Sequence, residues 1–243
     1  MLKILDDKRR KEKYIEKYSI KDILPEDIIN QLQLVKYDSG ENILQAEEKL
    51  EKLYFFVEGK LKVYTFQENG RSLLLSFYTK FDSIGEVELF KDLKITNPVD
   101  AITDSYLLSI PVEVLKDKVM DYPPFLRYII RTLTEKLNDL STQSAFNLLY
   151  PLKNRLASFL WMHNTGKKEI ILKDSFKEIA EYLGTTYRHL HRALKELEDE
   201  GLIRRNRRII SVLNEKKLKD LAGDIYKWYL SINLAIWVEN SNI

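Results

Sequence analysis

The chain has 243 residues, 44% hydrophobic and 31% charged, enough apolar content to build real cores in one large domain or two modest ones. It contains no cysteine and three histidines, which excludes disulfides and thiolate-ligated zinc or iron–sulfur sites and leaves little for a histidine metal cluster. The net charge of +2 is unevenly spread: residues 1–150 carry 22 Lys/Arg against 25 Asp/Glu, whereas residues 151–222 carry 16 against 10. A basic C-terminal third beside a mildly acidic remainder suits a nucleic-acid-binding unit joined to something else. No apolar run approaches the roughly 20 residues of a membrane span. The mixed-charge start MLKILDDKRRKEKYIEKY lacks the apolar core of a signal peptide. The expected location is cytoplasmic, with no membrane partner.

Residues 1–35 read as mostly helical and polar. From Val35 the period shortens to strand-like runs rich in Tyr, Phe, Val and Leu, separated by turn residues at Asp38-Ser39-Gly40, Glu58-Gly59-Lys60, Glu68-Asn69-Gly70 and Phe81-Asp82. Asn69-Gly70 is a strong hairpin signal, since both positions tolerate positive φ. Short, evenly spaced strands argue for an antiparallel barrel or sandwich, resuming at Asp100–Ile110. A short helix near Val114–Met120 and the break at Pro123-Pro124 precede a long helix. Its near-heptad seam is Leu126, Ile130, Leu133, Leu137, Leu140, Ser144 and Asn147, which needs an apolar partner in the barrel or in a second subunit. Pro151 restarts the chain into another amphipathic helix.

Asp174–Ile203, DSFKEIAEYLGTTYRHLHRALKELEDEGLI, reads as two helices meeting at a tight turn. Ser175 and Glu178 form a capping box, Gly184 ends the first helix, and Thr185 or Thr186 caps the second. Leu190, Ala193, Leu194 and Leu197 make the buried stripe. Thr186, Tyr187, Arg188, His191, Arg192 and Lys195 lie on the outer face, with His189 turned inward or sideways. Such a helix-turn-helix can enter a major groove. LIRRNRRIISVL then reads as a two-stranded wing whose turn presents Arg204, Arg205, Arg207 and Arg208 to phosphates. A short helix from Glu215 to Leu221 and an aromatic extension, 223–243, complete the chain. No nucleophile–base signature, Gly-rich phosphate loop or metal-ligand spacing is present, so no enzyme activity is expected.

This order of parts resembles the CRP/FNR family of bacterial transcription regulators over about residues 25–222. Gly40, Gly59, Gly70 and Gly85 sit where that family's β-roll turns. Ile84-Gly85-Glu86-Val87-Glu88-Leu89-Phe90 resembles its phosphate-binding cassette. Glu178-Ile179-Ala180, Arg192-Ala193-Leu194-Lys195 and Leu197–Ile203 follow its DNA-binding signature. The resemblance implies an α+β fold: a sensor β-roll with N-terminal helices (1–122), a dimerisation helix (123–149), a winged helix-turn-helix (150–222) and the extension. It implies a homodimer on double-stranded DNA at an inverted repeat, with RNA polymerase as a partner if the protein activates. Ser175 and the wing arginines would position the protein while Arg188 and Arg192 read bases. Leu126, Ile130, Leu133, Leu137, Leu140 and Ser144 would form the dimer interface.

The resemblance also implies an effector pocket at Gly85, Glu86, Val87, Ile95, Thr96 and Ser141. The family's cassette arginine is replaced here by Ile95, and neither Lys91 nor Lys94 can form a guanidinium's two-pronged bond with a phosphate. Cyclic AMP in the usual mode is therefore not expected. Glu86 can accept from a ribose hydroxyl or hold the turn through backbone amides, and the structural role is favoured. The absent cysteines exclude an iron–sulfur sensor, and a β-roll without His or Cys offers no axial haem ligand, so no cofactor is expected. Three readings stay open: a regulator sensing an unidentified effector, a ligand-independent regulator with a degenerate roll, and a nucleotide-binding module whose winged helix contacts protein.

Overall fold

The computed structural model describes residues 3–66, 72–164, 169–172 and 174–223. The Asn69-Gly70 turn and residues 224–243 of the extension lie outside the described residues. The chain divides into two compact units, Met1–Asn138 and Asp139–Ile243.

In the first unit, β1 (Lys3–Ile4), α1 (Lys8–Lys17) and α2 (Glu26–Ile29) precede β2 (Gln33–Tyr37), β3 (Asn42–Leu44), β4 (Lys52–Glu58), β5 (Leu61–Phe66), β6 (Ser72–Tyr78) and β7 (Asp82–Ile84). Then come α3 (Glu86–Lys91), β8 (Val99–Ala101), β9 (Ser105–Pro111), α4 (Val112–Lys118) and α5 (Pro123–Leu149), whose last turns belong to the second unit. One sheet has the order β1-β2-β9-β4-β7 and the other β3-β8-β5-β6. Every pairing in both is antiparallel. This is the expected roll, except that Lys3–Ile4 pairs with β2 as an edge strand where a helix was expected.

The core explains the strand sequences. Leu53 to Val57 of β4 are buried without interruption, because both faces of this strand are covered and the polar alternation of a half-exposed strand is lost. Phe55 packs against Phe81 and against Tyr128 of α5. The turn after β4 requires glycine: Gly59 has φ +113°, and a Cβ there would sit 2.7 Å from Ser105 Cα.

Helix α5 carries two apolar stripes rather than one. Phe125, Tyr128, Ile129 and Thr132 are buried, spaced to line a single face, and Leu133 packs on the same core. On the other side Ile130, Leu137 and Leu140 are 63%, 67% and 47% exposed. Leu126 is half-buried and Ser144 exposed. Of the expected seam, then, Leu133 joins the first unit's core, and Ile130, Leu137 and Leu140 remain exposed among the described residues.

The second unit comprises the end of α5, α6 (Leu152–Met162), β10 (Glu169–Ile171), α7 (Phe176–Tyr182), α8 (Tyr187–Asp199), β11 (Ile203–Asn206), β12 (Ile209–Val212) and α9 (Glu215–Ala222). Leu156, Leu160, Ile179, Leu190, Leu194 and Leu197 centre its core. The wing has three strands, ordered β10-β12-β11, where two were expected. Three residues of Glu-Ile-Ile are too short to announce a strand. Ile170 becomes one by pairing with Ile210, which buries both side chains.

Candidate nucleic-acid interface

Helix α7 begins as its sequence demands. Ser175 Oγ accepts from the Glu178 N–H at 3.2 Å, and the Ser175 N–H donates to Glu178 Oε2 at 2.7 Å, closing the capping box. Gly184 ends the turn with φ +60°. Thr186 caps α8 by accepting from the His189 N–H at 3.2 Å. Both threonines of the turn stay near the surface, Thr185 half-buried and Thr186 exposed.

The turn is fastened from behind. Arg155 of α6, 8% exposed, donates to Asn147 Oδ1 at the end of α5 and to the Leu183 carbonyl. A Cβ on Gly184 would lie 2.7 Å from Asn147 Nδ2. Phe146 is 1% exposed within this unit's core.

Leu190, Ala193, Leu194 and Leu197 are buried, so the opposite face of α8 must point outward. Tyr187, Arg188, His189, Arg192 and Lys195 are all exposed there. Among the described residues Arg192 makes an exposed ion pair with Glu196 at 3.9 Å, an arrangement worth a few tenths of a kcal/mol that a base edge can displace. His189, expected to turn inward or sideways, is exposed on the flank of the buried stripe. His191 is the histidine that turns in. Its ring lies 4.2 Å from that of Tyr187 and 5.2 Å from that of Phe176.

In the wing, Arg204, Arg207 and Arg208 are exposed, and Arg207 takes the tight turn with φ +53°. Arg205 departs from the expected row of phosphate contacts. Side chains alternate along a strand, so Arg205 shares the inner face with buried Ile203. Its Nη1 lies 2.9 Å from His191 Nδ1 and its Nη2 3.7 Å from Glu198 Oε2. Burial, and then the Arg205 charge, lower the pKa of His191.

In the cassette, Gly85 has φ +97° and Glu86 is 3% exposed. The expected backbone-amide role for Glu86 gives way to a side-chain partner. Lys136 of α5 donates to Glu86 Oε1 at 2.6 Å, to the Ser83 carbonyl at 2.8 Å and to Tyr78 Oη at 3.1 Å. Asp82 Oδ1 stands 3.3 Å from the same ammonium. Burial opposes the Lys136 charge, yet Tyr78, Glu86 and Asp82 together hold its pKa above the usual lysine value. Burial pushes Asp82 up to about 6, against the pull of Lys136. Ile95, in the position of the family's arginine, is 3% exposed and part of the hydrophobic core, so it is a packing residue and not a pocket wall. Val87 and Thr96 are exposed. Ser141 is exposed on α5 and falls in the second unit, whereas the other five candidates fall in the first. No group of three or more potential metal ligands occurs among the described residues.

Comparison with known proteins agrees with this geometry. Residues 34–122 match the cyclic nucleotide-binding domain and residues 154–221 match the Crp-like helix-turn-helix domain. The regulatory protein YeiL of Escherichia coli is 28% identical over 84% of this chain and 92% of its own length. The fumarate and nitrate reduction regulatory protein of Vibrio cholerae is 27% identical over 76% of each chain. A solved structure of the crp/fnr family from Eubacterium rectale superposes with a TM-score of 0.68 over 84% of this chain and 97% of that one; at 23% identity it shows the fold. The chain belongs to the CRP/FNR family of transcription regulators: it joins a cyclic-nucleotide-binding-type domain to a Crp-like DNA-binding head.

Proposed function

We propose that the protein acts as a homodimer on an inverted-repeat DNA site, each subunit placing α8 in one major-groove half-site and the wing along the flanking backbone. The exposed face of α8 carries this reading: Tyr187, Arg188, Arg192 and Lys195 project from a helix whose other side is fully packed. Arg188 and Arg192 can each pair with guanine O6 and N7, while Lys195 and the exposed wing arginines meet phosphates. Dimerisation supplies the apolar cover for Ile130, Leu137 and Leu140, and two-fold symmetry sets the half-sites about one helical turn apart. Selection of bound duplexes from a random pool tests the reading. Recovery of an inverted repeat supports it, and recovery of unrelated sequences refutes it.

The Lys136–Glu86 pair favours a ligand-independent regulator over one sensing a small effector through the cassette. The carboxylate that would receive an effector's hydroxyl is buried, and its Oε1 accepts from an ammonium of the same chain, while Oε2 has no hydrogen-bond partner among the described residues. Thermal shifts with a panel of nucleotides and metabolites decide between the two, since a ligand that binds the native state alone raises the melting temperature.

A further inference from the structure

Arg205 is the wing arginine whose side chain turns back onto the reading helix. A guanidinium only donates, so at 2.9 Å His191 Nδ1 must accept, and the imidazole proton of the neutral ring sits on Nε2. That Nε2 is enclosed without a hydrogen-bond partner among the described residues, so the bond to Arg205 is the polar contact that orients the ring. The Arg205 backbone N–H donates to Glu198 Oε1 at 2.8 Å, and its guanidinium lies 5.9 Å from the Phe176 ring, so the strand is tied to both helices of the head. The His191 ring also packs against Tyr187, with centroids 4.2 Å apart, and Tyr187 is 54% exposed in the first turn of α8.

We propose that Arg205 and His191 are positioning residues: the guanidinium fixes the imidazole, and the imidazole fixes the Tyr187 ring that faces the half-site. The proposal rests on the assignment of α8 as the DNA-reading helix. The first turn of a recognition helix is the part that reaches base edges. An aromatic ring held in one rotamer presents its hydroxyl with less entropy to lose on binding. Arg205 thereby contributes to sequence preference without touching DNA.

A double-mutant cycle on the full chain tests this. The probes are a labelled duplex selected from a random pool and a labelled duplex of scrambled sequence, each measured by anisotropy across salt concentrations. Arg205→Met is expected to weaken the selected duplex by about threefold to tenfold and the scrambled one by less than about twofold. Most of that loss should vanish in a Tyr187→Ala background, because residues acting through a shared neighbour are not additive. Arg205→Lys keeps the charge but not the guanidinium's planar donors, and should behave like Arg205→Met. If Arg205→Met melts at a lower temperature, Arg205→Lys carries the cycle in its place. Equal losses on both duplexes, additive with Tyr187→Ala and with the salt slope reduced by about one, would make Arg205 a phosphate contact and overturn the proposal. If the unsubstituted chain does not distinguish the two duplexes, the α8 assignment itself fails and this proposal falls with it.

Discussion

Lys136 Nζ lies 2.6 Å from Glu86 Oε1 and 3.3 Å from Asp82 Oδ1, so one ammonium serves two carboxylates, one on strand β7 and one opening helix α3. Breaking such a buried pair from one side strands a charge in a low-dielectric site. Lys136→Met is expected to cost about 3–5 kcal/mol, and Lys136→Met with Glu86→Gln to recover much of it. Denaturant unfolding followed by circular dichroism measures both. A double variant as unstable as the single one would show that packing, not charge, sets the cost.

The same cluster makes the first unit sensitive to mild acid in an uncommon direction. Asp82 is raised to about 6 by burial, with Lys136 opposing and Glu86 adding. The folded form thus binds this proton more tightly than the unfolded one. Its contribution is complete below the ordinary carboxylate value near 4 and fades as pH rises through about 6. Protection factors for β4 and β7 from hydrogen exchange should therefore increase from pH 7 to pH 5, and Asp82→Asn should flatten the trend. Asp38, held at about 2 by Lys3 and Lys36, weakens the fold only at far lower pH. His191, in the other unit, has the opposite sign: its lowered pKa gives stability above the usual histidine value that is lost as pH falls.

Leu137 is 67% exposed, so Leu137→Asp should leave the folded monomer intact while placing a charge in the proposed seam. Sedimentation velocity is expected to show the unsubstituted chain as a dimer and the variant as a monomer at micromolar concentration. An unchanged sedimentation coefficient would remove this stripe from the interface.

Arg192→Ala should cost about 1–3 kcal/mol at one base position and relax preference there. Binding to a set of duplexes with single base changes reads this out. A loss spread evenly over all of them, scrambled duplex included, would make Arg192 a phosphate contact.

Ser175 caps α7 and is also a candidate phosphate contact, and the two roles separate on substitution. Ser175→Ala removes the cap and should cost about 1 kcal/mol of stability. Ser175→Asp keeps the cap but repels phosphate, so stability should hold while DNA affinity falls and the salt slope shifts. Unchanged affinity with Ser175→Asp would leave Ser175 a helix cap alone.

The reading head was legible because its signals are local. Ser175 with Glu178, Gly184, and the spacing of Leu190, Ala193, Leu194 and Leu197 each lie within a few residues, and each is formed as read. Illegible features depended on partners distant in the chain. Nothing in the sequence singles out Lys136, since its partners at 78, 82, 83 and 86 come from another part of the chain. The buried stripe of α5 was hidden behind the heptad-like one because the two interleave on one helix. The inward turn of His191 is not legible either, since its partners Phe176 and Arg205 lie on other elements and no apolar signal marks that side of α8 as covered. Arg205 was read with its neighbours as one basic row, although alternation with Ile203 already put it on the inner face.

Phe146 and Asn147 have a practical consequence for cutting the molecule apart. An excised head starting at Pro151 would leave a hole the size of a phenyl ring in its centre, a loss of about 3–5 kcal/mol, and would take from Arg155 the Asn147 carbonyl it holds. A fragment starting at Asp139 keeps both. Anyone grafting this head onto another sensor should therefore carry over the last turns of α5, because the turn before the reading helix is anchored to them.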